Sequence, residues 1–345
     1  MVQDLNVALV GYGMAGKVFH GPLIATTPGL ALRTIVSSRT AEVSADFPRA
    51  RVVADLDTAL ADPAIDLVVV ATPDALHAAH GHAALEAGKH VVIDKPFATT
   101  LADAEPLADH ARRAGRLLSV FHNRRWDSDF LTLRRLIADG ALGEVTQFES
   151  HFDRFRPLVA DQWKERAGAG TWMGLGPHLV DQALQLFGSP EAVYADFAGQ
   201  KDGAQTIDYC HVLLRYPRLR VILHACQLAP VHDLRFAVHG TGGSFIKHGL
   251  DPQEAALAAG GRPGDPGWGV DPRPGVLSRV VDGVAVPTAF DSAPGDYLAF
   301  YAGLRDAIID GAPNPSSPAD ALATMRILDL AQRSAEERRE IAVEG

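Results

Sequence analysis

The sequence predicts an α/β fold with a doubly wound parallel sheet at the N-terminus, followed by an α+β domain with a mostly antiparallel, open sheet. From residue 1 to about residue 121, short β-rich runs alternate with helical patterns, as is typical of a parallel sheet. From Phe121 onward, apolar and polar residues alternate along longer runs, which indicates half-exposed antiparallel strands. We therefore expect a domain over residues 1–121 and a second one over residues 122–345.

Six strands and four helices are predicted in the first domain. The strands are LNVALV, ALRTIV, ARVVA, IDLVVVAT, KHVVI and RLLSVF. The helices are MAGKVFHGPLIATT, DLDTALAD, ALHAAHGHAALEAG and LADAEPLADHARRAG. DLVVVA and KHVVID are almost continuous apolar runs, so their strands are expected to be covered by helices on both faces.

The second domain is predicted to carry its strands on a sheet with one face covered by helices. Its strands are EVTQFESHFDRF, AVYADFA, DYCHVLLRY, RVILHACQLA and RFAVHGTGGSFIKH. Residues 250–275 are dense in glycine and proline, which predicts a long ordered loop or flap. The chain is expected to end with helices near 294–311 and 317–339, the last one packing back on the first domain.

Composition excludes several classes of protein. A chain of 345 residues with 47% hydrophobic and 21% charged residues is an ordinary globular protein, long enough for two cores. Its net charge of −10, from 32 basic and 42 acidic residues, argues against a nucleic-acid binder. We find neither a basic signal-peptide start nor an apolar run of the ~20 residues that a membrane span needs, so we expect a cytoplasmic protein.

The cysteines and histidines give no sign of a metal site. Cys210 and Cys226 are too far apart in sequence for a zinc motif. Reduced core thiols are expected, although a disulfide stays open. The histidines of the second half lie on separate predicted strands, and no metal is predicted. They are His151, His211, His224, His232 and His239.

A glycine motif follows the first predicted strand. LVGYGMAG places Gly11, Gly13 and Gly16 as GxGxxG between a strand and a helix. This context favours a dinucleotide pyrophosphate on the helix N-terminus, with Met14 and Ala15 in the same loop. The alternative is a glycine turn that binds nothing.

The end of the second strand indicates the type of dinucleotide. An acidic residue is expected there if the ribose 2′-hydroxyl of NAD is bound, but the chain offers Ser37, Ser38 and Arg39. A guanidinium holds a 2′-phosphate by charge-assisted hydrogen bonds. We therefore predict NADP, with NAD possible. The alternative is a serine-rich turn with a solvated arginine.

Two later strand ends are expected to face the cofactor, because ligands of such sheets lie beyond the carboxyl ends of the strands. The first carries ATPDALH, with Thr72, Pro73 and His77. The second carries Lys95 before Pro96, and the proline keeps the lysine backbone extended. Its ammonium would lie near the nicotinamide and bind an alcohol or carbonyl oxygen. A surface lysine at a strand end is the alternative.

The stretch GTWMGLGPHLVDQALQLFG, residues 170–188, predicts an amphipathic helix that starts at Gly176-Pro177. One side carries an apolar stripe. The other carries His178, Asp181, Gln182 and Gln185. From these residues alone, His178 is either a catalyst at a helix N-terminus or a polar residue on a solvated face.

Taken together, the motifs resemble those of the glucose–fructose oxidoreductase/inositol dehydrogenase/MocA (Gfo/Idh/MocA) family, most closely its NADP-linked scyllo-inositol dehydrogenase-like branch. The motifs are GYGMAG, ATPDALH, GKHVVIDKPF, SVFHNRRWDSDF, GLGPHLVDQ, ESHFDRFRP and HGLDPQE. They span essentially the whole chain.

The resemblance implies a Rossmann domain, a C-terminal α/β domain with an open sheet, a cleft between them and a homodimer or homotetramer. It implies that Lys95 binds the reacting oxygen, that the Lys95–Pro96 peptide is cis, and that His178 exchanges the proton of the substrate hydroxyl. A helix N-terminus would keep that imidazole neutral.

The chain departs from the family pattern at Gly174, where the family has an aspartate four residues before the histidine. Three interpretations follow: Lys95 and His178 suffice, Asp127, Asp181 or water substitutes, or the protein is weakly active or inactive.

The segment HNRRWDSDF is expected to line the cleft and suits a hydroxylated ring. Asn123, Arg125, Trp126 and Asp127 are its predicted substrate contacts, and Arg154 of FDRFRP joins them. Ion pairing inside the protein is the alternative for each charged member.

We thus predict an NADP-dependent oxidoreductase that interconverts a secondary alcohol and a ketone on a cyclic polyol or sugar. The alternatives are a reductase for another carbonyl or for a substrate such as a pyrrole pigment, since one fold hosts many chemistries, and a dinucleotide-binding regulator without turnover.

Overall fold

The computed structural model describes residues 4–159, 170–231 and 233–344. The chain forms two compact units. The first comprises the described residues of Met1–Trp126, Pro252–Gly269 and Asp296–Leu322, and the second those of Asp127–Asp251, Val270–Gly295 and Ala323–Gly345. The predicted division into residues 1–121 and 122–345 stays a prediction.

The first unit contains a six-stranded sheet in the order β3-β2-β1-β4-β5-β6. Its strands are β1 Leu5–Val10, β2 Leu30–Val36, β3 Arg51–Val53, β4 Leu67–Val70, β5 His90–Ile93 and β6 Leu118–Val120. All neighbouring pairs are parallel, and β4 is buried along its whole length. The doubly wound sheet is therefore confirmed. The strand order reverses between β1 and β4, where such sheets leave a crevice for a ligand.

The first unit also contains helices, most of which connect these strands. They are a π-helix Ala15–His20 that continues into Gly21–Thr26, then Thr40–Asp46, Leu56–Leu60, His77–Glu86, Leu101–Ala114, Gln253–Ala258 and Leu298–Asp310, with 3₁₀ turns at Asp74–Leu76 and Asn123–Trp126.

The segment 250–275 is helical at Gln253–Ala258, so its prediction as one long loop is wrong there, whereas residues 259–274 contain no helix or strand. Its sequence QEAALA forms the helix Gln253–Ala258. Three alanines and a leucine are strong helix formers, and this local preference outweighs the glycine and proline density of the wider window.

The second unit contains a nine-stranded sheet in the order β14-β13-β12-β11-β7-β10-β9-β8-β15. The strands are β7 Val145–His151, β8 Ala192–Ala198, β9 Tyr209–Arg215, β10 Arg220–Cys226, β11 Leu234–Gly240, β12 Gly243–His248, β13 Gly275–Val281, β14 Val284–Phe290 and β15 Ile341–Ala342. Only β7 and β10 pair in parallel among these neighbours. The mostly antiparallel sheet is therefore confirmed.

The β13–β14 hairpin was not predicted. Val281 and Val284 pair across a two-residue turn of Asp282 and Gly283, whose φ angles are +50° and +80°. Asp-Gly is a strong signal for such a turn, because both central residues take positive φ.

One face of the second sheet carries the core of its unit. In β10, Val221, Leu223 and Ala225 are buried. The intervening His224 and Cys226 stay partly exposed, as a strand with period two requires.

The remaining described helices are Ser128–Ala138, Gly170–Phe187 and Pro318–Glu337. None of the helices of the described chain could span a membrane.

The two cysteines are both free, as expected. Cys210 is buried, and burial raises the pKa of its thiol far above the usual value. Cys226, predicted to be in the core, is only partly buried.

Candidate functional site

The loop after β1 has the shape that a dinucleotide pyrophosphate requires. Gly11 has φ +100°, and a Cβ there would lie 2.5 Å from the carbonyl oxygen of Ala71. A Cβ on Gly16 would collide with the carbonyl oxygen of Gly11. At exposed Gly13 a Cβ would meet no atom within 4 Å. The absence of a side chain at Gly11 and Gly16 therefore allows backbone segments to pack closely. At Gly13 it leaves the backbone of the loop open to a ligand.

The helix that follows supplies hydrogen-bond donors. The amide of Lys17 donates to the carbonyl oxygen of Gly13 at 2.9 Å, so helical winding begins there. The amides of a first helical turn have no acceptors within the helix and attract anions. Met14, which is 66% exposed, and Ala15 lie on this turn. The loop thus fits a dinucleotide.

We predict that Gly13→Ala weakens coenzyme binding without harming the fold. The methyl group enters space that no protein atom fills, so the Kd for the coenzyme should rise by about tenfold or more (about 1.4 kcal/mol), while Tm stays unchanged. Fluorescence titration and calorimetry measure the two quantities. Gly11→Ala is the contrast, because its strain and backbone clash should lower Tm. An unaltered Kd in Gly13→Ala would show that nothing approaches this glycine.

Beyond β2, the arginine predicted to bind the 2′-phosphate is exposed and forms an ion pair. The Arg39 side chain is 57% exposed, and its Nη1 lies 3.7 Å from Oε2 of Glu42. The amide of Arg39 donates to Oγ of Ser37 at 3.0 Å, and Ser38 is exposed. Lys17 binds the other oxygen of Glu42 at 2.7 Å. Glu42 of the following helix therefore binds two cations, Arg39 at the end of β2 and Lys17 from the helix after β1.

His77 joins the ends of β4 and β5. It is fully buried. Its Nε2 lies 2.9 Å from the carbonyl oxygen of Thr72, and its Nδ1 lies 2.7 Å from that of Pro96. Pro73 beside them is exposed. The imidazole holds these two backbone segments together, so His77 would position the cofactor loops.

Lys95 follows a chain of largely buried polar side chains that the sequence did not reveal. The Lys95–Pro96 peptide is cis, as the resemblance implied. Asp94 Oδ1 lies 3.6 Å from Nε2 of His20, whose Nδ1 lies 2.6 Å from the hydroxyl of Tyr301. His20 also packs on Phe121, with ring centroids 4.3 Å apart. The three polar groups form a line that ends at the residue before Lys95.

The surroundings of Asp94 and Tyr301 set the protonation states of these two side chains. Burial by itself raises the pKa of the Asp94 carboxyl, but His20 and Lys95 beside it outweigh burial and hold the pKa below its usual value. Burial raises the pKa of the Tyr301 hydroxyl well above its usual value. A carboxylate therefore lies next to the predicted catalytic lysine, and a neutral hydroxyl ends the line.

The segment after β6 is largely buried. Asn123 is 4% exposed and Arg125 is 6% exposed. Arg125 Nη1 donates to the carbonyl oxygen of Pro315 at 3.0 Å and to Oδ2 of Asp320 at 3.2 Å. Trp126 packs on Phe300, with ring centroids 5.7 Å apart, and Asp127 is fully buried. Arg154 is partly buried after β7, where its amide donates to the Cys226 carbonyl oxygen. For Arg125 this placement supports ion pairing.

His178 lies in the middle of a helix, so its prediction at a helix N-terminus is wrong. The described helix runs from Gly170 to Phe187 with Pro177 inside it. The expected effect of a helix N-terminus on this imidazole therefore does not apply. The solvated-face alternative is also wrong, because His178, Asp181 and Gln182 are at most 6% exposed. Of the predicted polar side, only Gln185 is exposed.

A buried arginine anchors this helix. Arg235 is fully buried on β11. It donates to Oδ2 of Asp129 at 3.2 Å, to Oγ of Ser150 at 2.7 Å and to Oε1 of Gln182 at 2.6 Å. Gln182 lies one helical turn after His178, so the Arg235 network fixes the helix that carries the predicted proton acceptor.

Gly174 lies on the same helix as His178. Residues four apart on a helix are neighbours on one face, and a Cβ on Gly174 would meet no atom within 4 Å. A side chain is therefore sterically accepted one turn before the imidazole.

Comparisons with known proteins agree with these observations. The NAD-binding Rossmann fold of an oxidoreductase family, Gfo/Idh/MocA, matches residues 5–122. The C-terminal alpha/beta domain of the same family matches residues 134–343.

Relatives match over nearly the full length. Uncharacterized oxidoreductase YdgJ of Escherichia coli is 50% identical over 340 residues, 98% of each chain. The scyllo-inositol 2-dehydrogenase (NADP(+)) IolW of Bacillus subtilis is 41% identical, covering 99% of this chain and 97% of its own. The solved structure of yvaA from Bacillus subtilis superposes with a TM-score of 0.97 at 40% identity, over 100% of this chain and 99% of that one. The chain belongs to the Gfo/Idh/MocA family of oxidoreductases and carries its nicotinamide-dinucleotide domain.

Proposed function

We propose that the protein is an NADP-dependent dehydrogenase that interconverts a secondary alcohol and a ketone of a cyclic polyol or sugar, with a scyllo-inositol-like ring as the substrate class. The observation that carries the proposal is the open approach at Gly13, above a helix N-terminus at the switch point of the sheet. The name of the relative IolW supports the substrate class and the coenzyme.

The coenzyme would be held by the glycine loop and by the strand ends beyond it. Gly11, Gly13, Met14, Ala15 and Gly16 would bind the pyrophosphate, and Ser37, Ser38 and Arg39 the 2′-phosphate. Thr72, Pro73, His77 and Pro96 would shape the loops near the nicotinamide, which supplies hydride transfer when bound.

Lys95 and His178 divide the remaining chemistry. The Lys95 ammonium binds the reacting oxygen and stabilises the negative charge that grows on it. In the oxidation direction, the imidazole of His178 accepts the hydroxyl proton while the carbon loses its hydride. In reduction, His178 returns that proton to the oxygen. Asp94, whose Oδ1 lies 3.6 Å from Nε2 of His20, would position Lys95.

The substrate ring would contact several further side chains. Asn123, Trp126, Asp127 and Arg154 stay predicted contacts for its hydroxyl groups. The guanidinium of Arg125 donates a hydrogen bond to Asp320. Its predicted contact with the substrate therefore depends on the N–H groups that this bond does not use.

Arg39→Ala is expected to shift coenzyme preference from NADP toward NAD. Charge-assisted hydrogen bonds contribute about 1.5–3 kcal/mol, so the ratio of kcat/KM for NADP over NAD should fall by about ten- to a hundredfold. Steady-state kinetics with both coenzymes measures the ratio. Arg33→Ala, another exposed arginine of this region paired with Asp62, is the matched control and should leave it unchanged. The assignment fails if Arg39→Ala does so too.

Gly174→Asp restores the aspartate of the family pattern, and we expect it to improve polyol turnover. The aspartate side chain fits on the helix one turn before His178. Its carboxylate can accept a hydrogen bond from a substrate hydroxyl there. We expect kcat/KM for the polyol to rise by about tenfold, the size of one charge-assisted bond. Gly174→Asn separates charge from shape, and Gly174→Ala corrects for helix propensity. Equal kinetics in all three variants would mean that the missing carboxylate is already compensated.

The proposal as a whole is tested by binding and turnover in sequence. NADPH fluorescence should change on binding, and the nicotinamide absorbance should then decay with one member of a panel of inososes and sugar ketones. NADP⁺ with scyllo-inositol tests the reverse reaction. Binding without turnover across the panel would favour the non-catalytic regulator, which the glycine at position 174 favours. Turnover only with an unrelated carbonyl would replace the substrate class.

A further inference from the structure

Three side chains of the types that commonly ligate metal ions lie close together in the second unit. His151 Nδ1 lies 3.1 Å from Oδ2 of Asp153, and His224 Nδ1 lies 2.8 Å from its Oδ1. The ligand atoms of all three side chains lie within 4.8 Å of one another. Among the described residues, this is a group of two imidazoles and one carboxylate that no step proposed above uses. We call it the His-Asp-His cluster.

Strand register explains why residues 71 or more positions apart converge. His151 ends β7 and pairs directly with His224 on the parallel strand β10, so both imidazoles lie on the face opposite the core. After β7 the chain keeps this course, because the amide of Phe152 donates to the carbonyl oxygen of His224. Asp153 thereby reaches the same face two residues after His151. The amide of Cys226 donates to Oδ1 of Asp153 and fixes the carboxylate.

The donor set is the one that first-row transition metals prefer. Two imidazole nitrogens and one carboxylate bind Zn²⁺ in sites that leave a fourth position open. The side chains of His151, Asp153 and His224 are 14%, 11% and 18% exposed. They are therefore largely removed from water, but each keeps some exposed surface that an ion can reach.

A second carboxylate orients the first histidine. His151 Nε2 lies 3.3 Å from Oε2 of Glu149, two residues earlier on the same face. Its Nδ1 is left to face Asp153. Histidine ligands of metals commonly bind a carboxylate through the nitrogen that does not contact the metal.

We propose that the His-Asp-His cluster is a binding site for a first-row divalent metal ion, with Zn²⁺ as the representative, ligated by Nδ1 of His151, Nδ1 of His224 and the carboxylate of Asp153. The ion replaces the hydrogen bonds of the carboxylate to the two imidazoles and joins β7 to β10 at the end of their pairing. The site is independent of the proposed dehydrogenase reaction.

Metal analysis tests the site on the full chain, produced without a histidine tag and stripped with EDTA. Equilibrium dialysis against micromolar Zn²⁺ should give one bound ion per chain. Asp153→Asn and His224→Gln should each weaken binding by at least about tenfold. His239→Gln is the matched control, because His239 lies partly buried on the same sheet and bonds Ser244 instead. It should bind Zn²⁺ like the wild type.

Cobalt provides a readout that does not depend on the variants folding. Co²⁺ bound by the wild type should give visible absorption bands and shifted imidazole proton resonances from two histidines. The proposal is overturned if the wild type binds no stoichiometric Zn²⁺. Retention of wild-type affinity by Asp153→Asn, or cobalt shifts from other histidines, would equally place the ion elsewhere.

Discussion

Replacing His178 with glutamine is expected to lower kcat by about 10²–10⁴-fold, the usual contribution of a positioned acid–base group. Glutamine keeps a hydrogen-bonding side chain of similar length in the buried position next to Phe152, but it cannot take up the hydroxyl proton. The coenzyme Kd should not change, because the substitution alters none of the residues proposed to hold the coenzyme. Steady-state kinetics and NADPH titration separate the two effects. His239→Gln serves as the control for a histidine change in the second unit.

Lys95→Met completes the test of the proposed catalytic pair. Loss of one electrostatic donor to the reacting oxygen typically costs about 10²–10³ in kcat. If Lys95 and His178 serve the same step, the double variant should lose little more than the poorer single variant, since groups that act as a unit are not additive. Losses that multiply would mean that the two residues act independently, and a His178→Gln enzyme within about threefold of wild-type kcat would remove the histidine from the mechanism.

The periodic part of the fold was predictable because burial repeats along the chain. The β-rich runs of the first unit and the alternating runs of the second unit appear as strands close to their predicted places. The glycine loop was predictable for a related reason. A Cβ on Gly16 would meet the carbonyl oxygen of Gly11 in the same loop, so local sequence specifies that close approach. The close approach of Gly11 to Ala71 depends instead on the pairing of β1 with β4.

The start of the His178 helix was not predictable from local rules. Proline favours the first turn of a helix, and Gly176-Pro177 therefore indicated a start that the structure does not have. The turns before it are held by distant packing. Trp172 is fully buried, and its Nε1 donates to the carbonyl oxygen of Leu328, 156 residues away.

Polar chains and clusters depended on contacts that no local pattern encodes. His20 and Tyr301 are separated by 281 residues, and only the packing of the helix Leu298–Asp310 brings the hydroxyl to the imidazole. His151 and His224 meet only once β7 and β10 are aligned in parallel. The sequence shows which residue types are present, but strand order and register decide which of them meet.

The stability of the unit that carries His178 should depend strongly on Arg235. We expect Arg235→Met to lower the free energy of unfolding by about 3–5 kcal/mol, because removing one partner leaves a buried charge uncompensated. Asp129 would be that charge, as both residues are 0% exposed. Methionine retains much of the packing, although the guanidinium stacking on Phe152 and Phe236, at 4.4 and 4.1 Å, is lost. Urea unfolding followed by circular dichroism measures the change.

Two further variants decide whether the loss comes from the stranded carboxylate. Arg218→Met removes an arginine that is 73% exposed and paired with Glu144, and exposed pairs contribute only about 0–1 kcal/mol. Adding Asp129→Leu to Arg235→Met removes the unpaired charge, so part of the lost stability should return, as it does when a buried pair is replaced by apolar residues. The buried charge would not explain the loss if the double variant is no more stable than Arg235→Met, or if Arg218→Met lowers the free energy of unfolding as much as Arg235→Met does. Lost packing would then set the stability of the unit that carries His178.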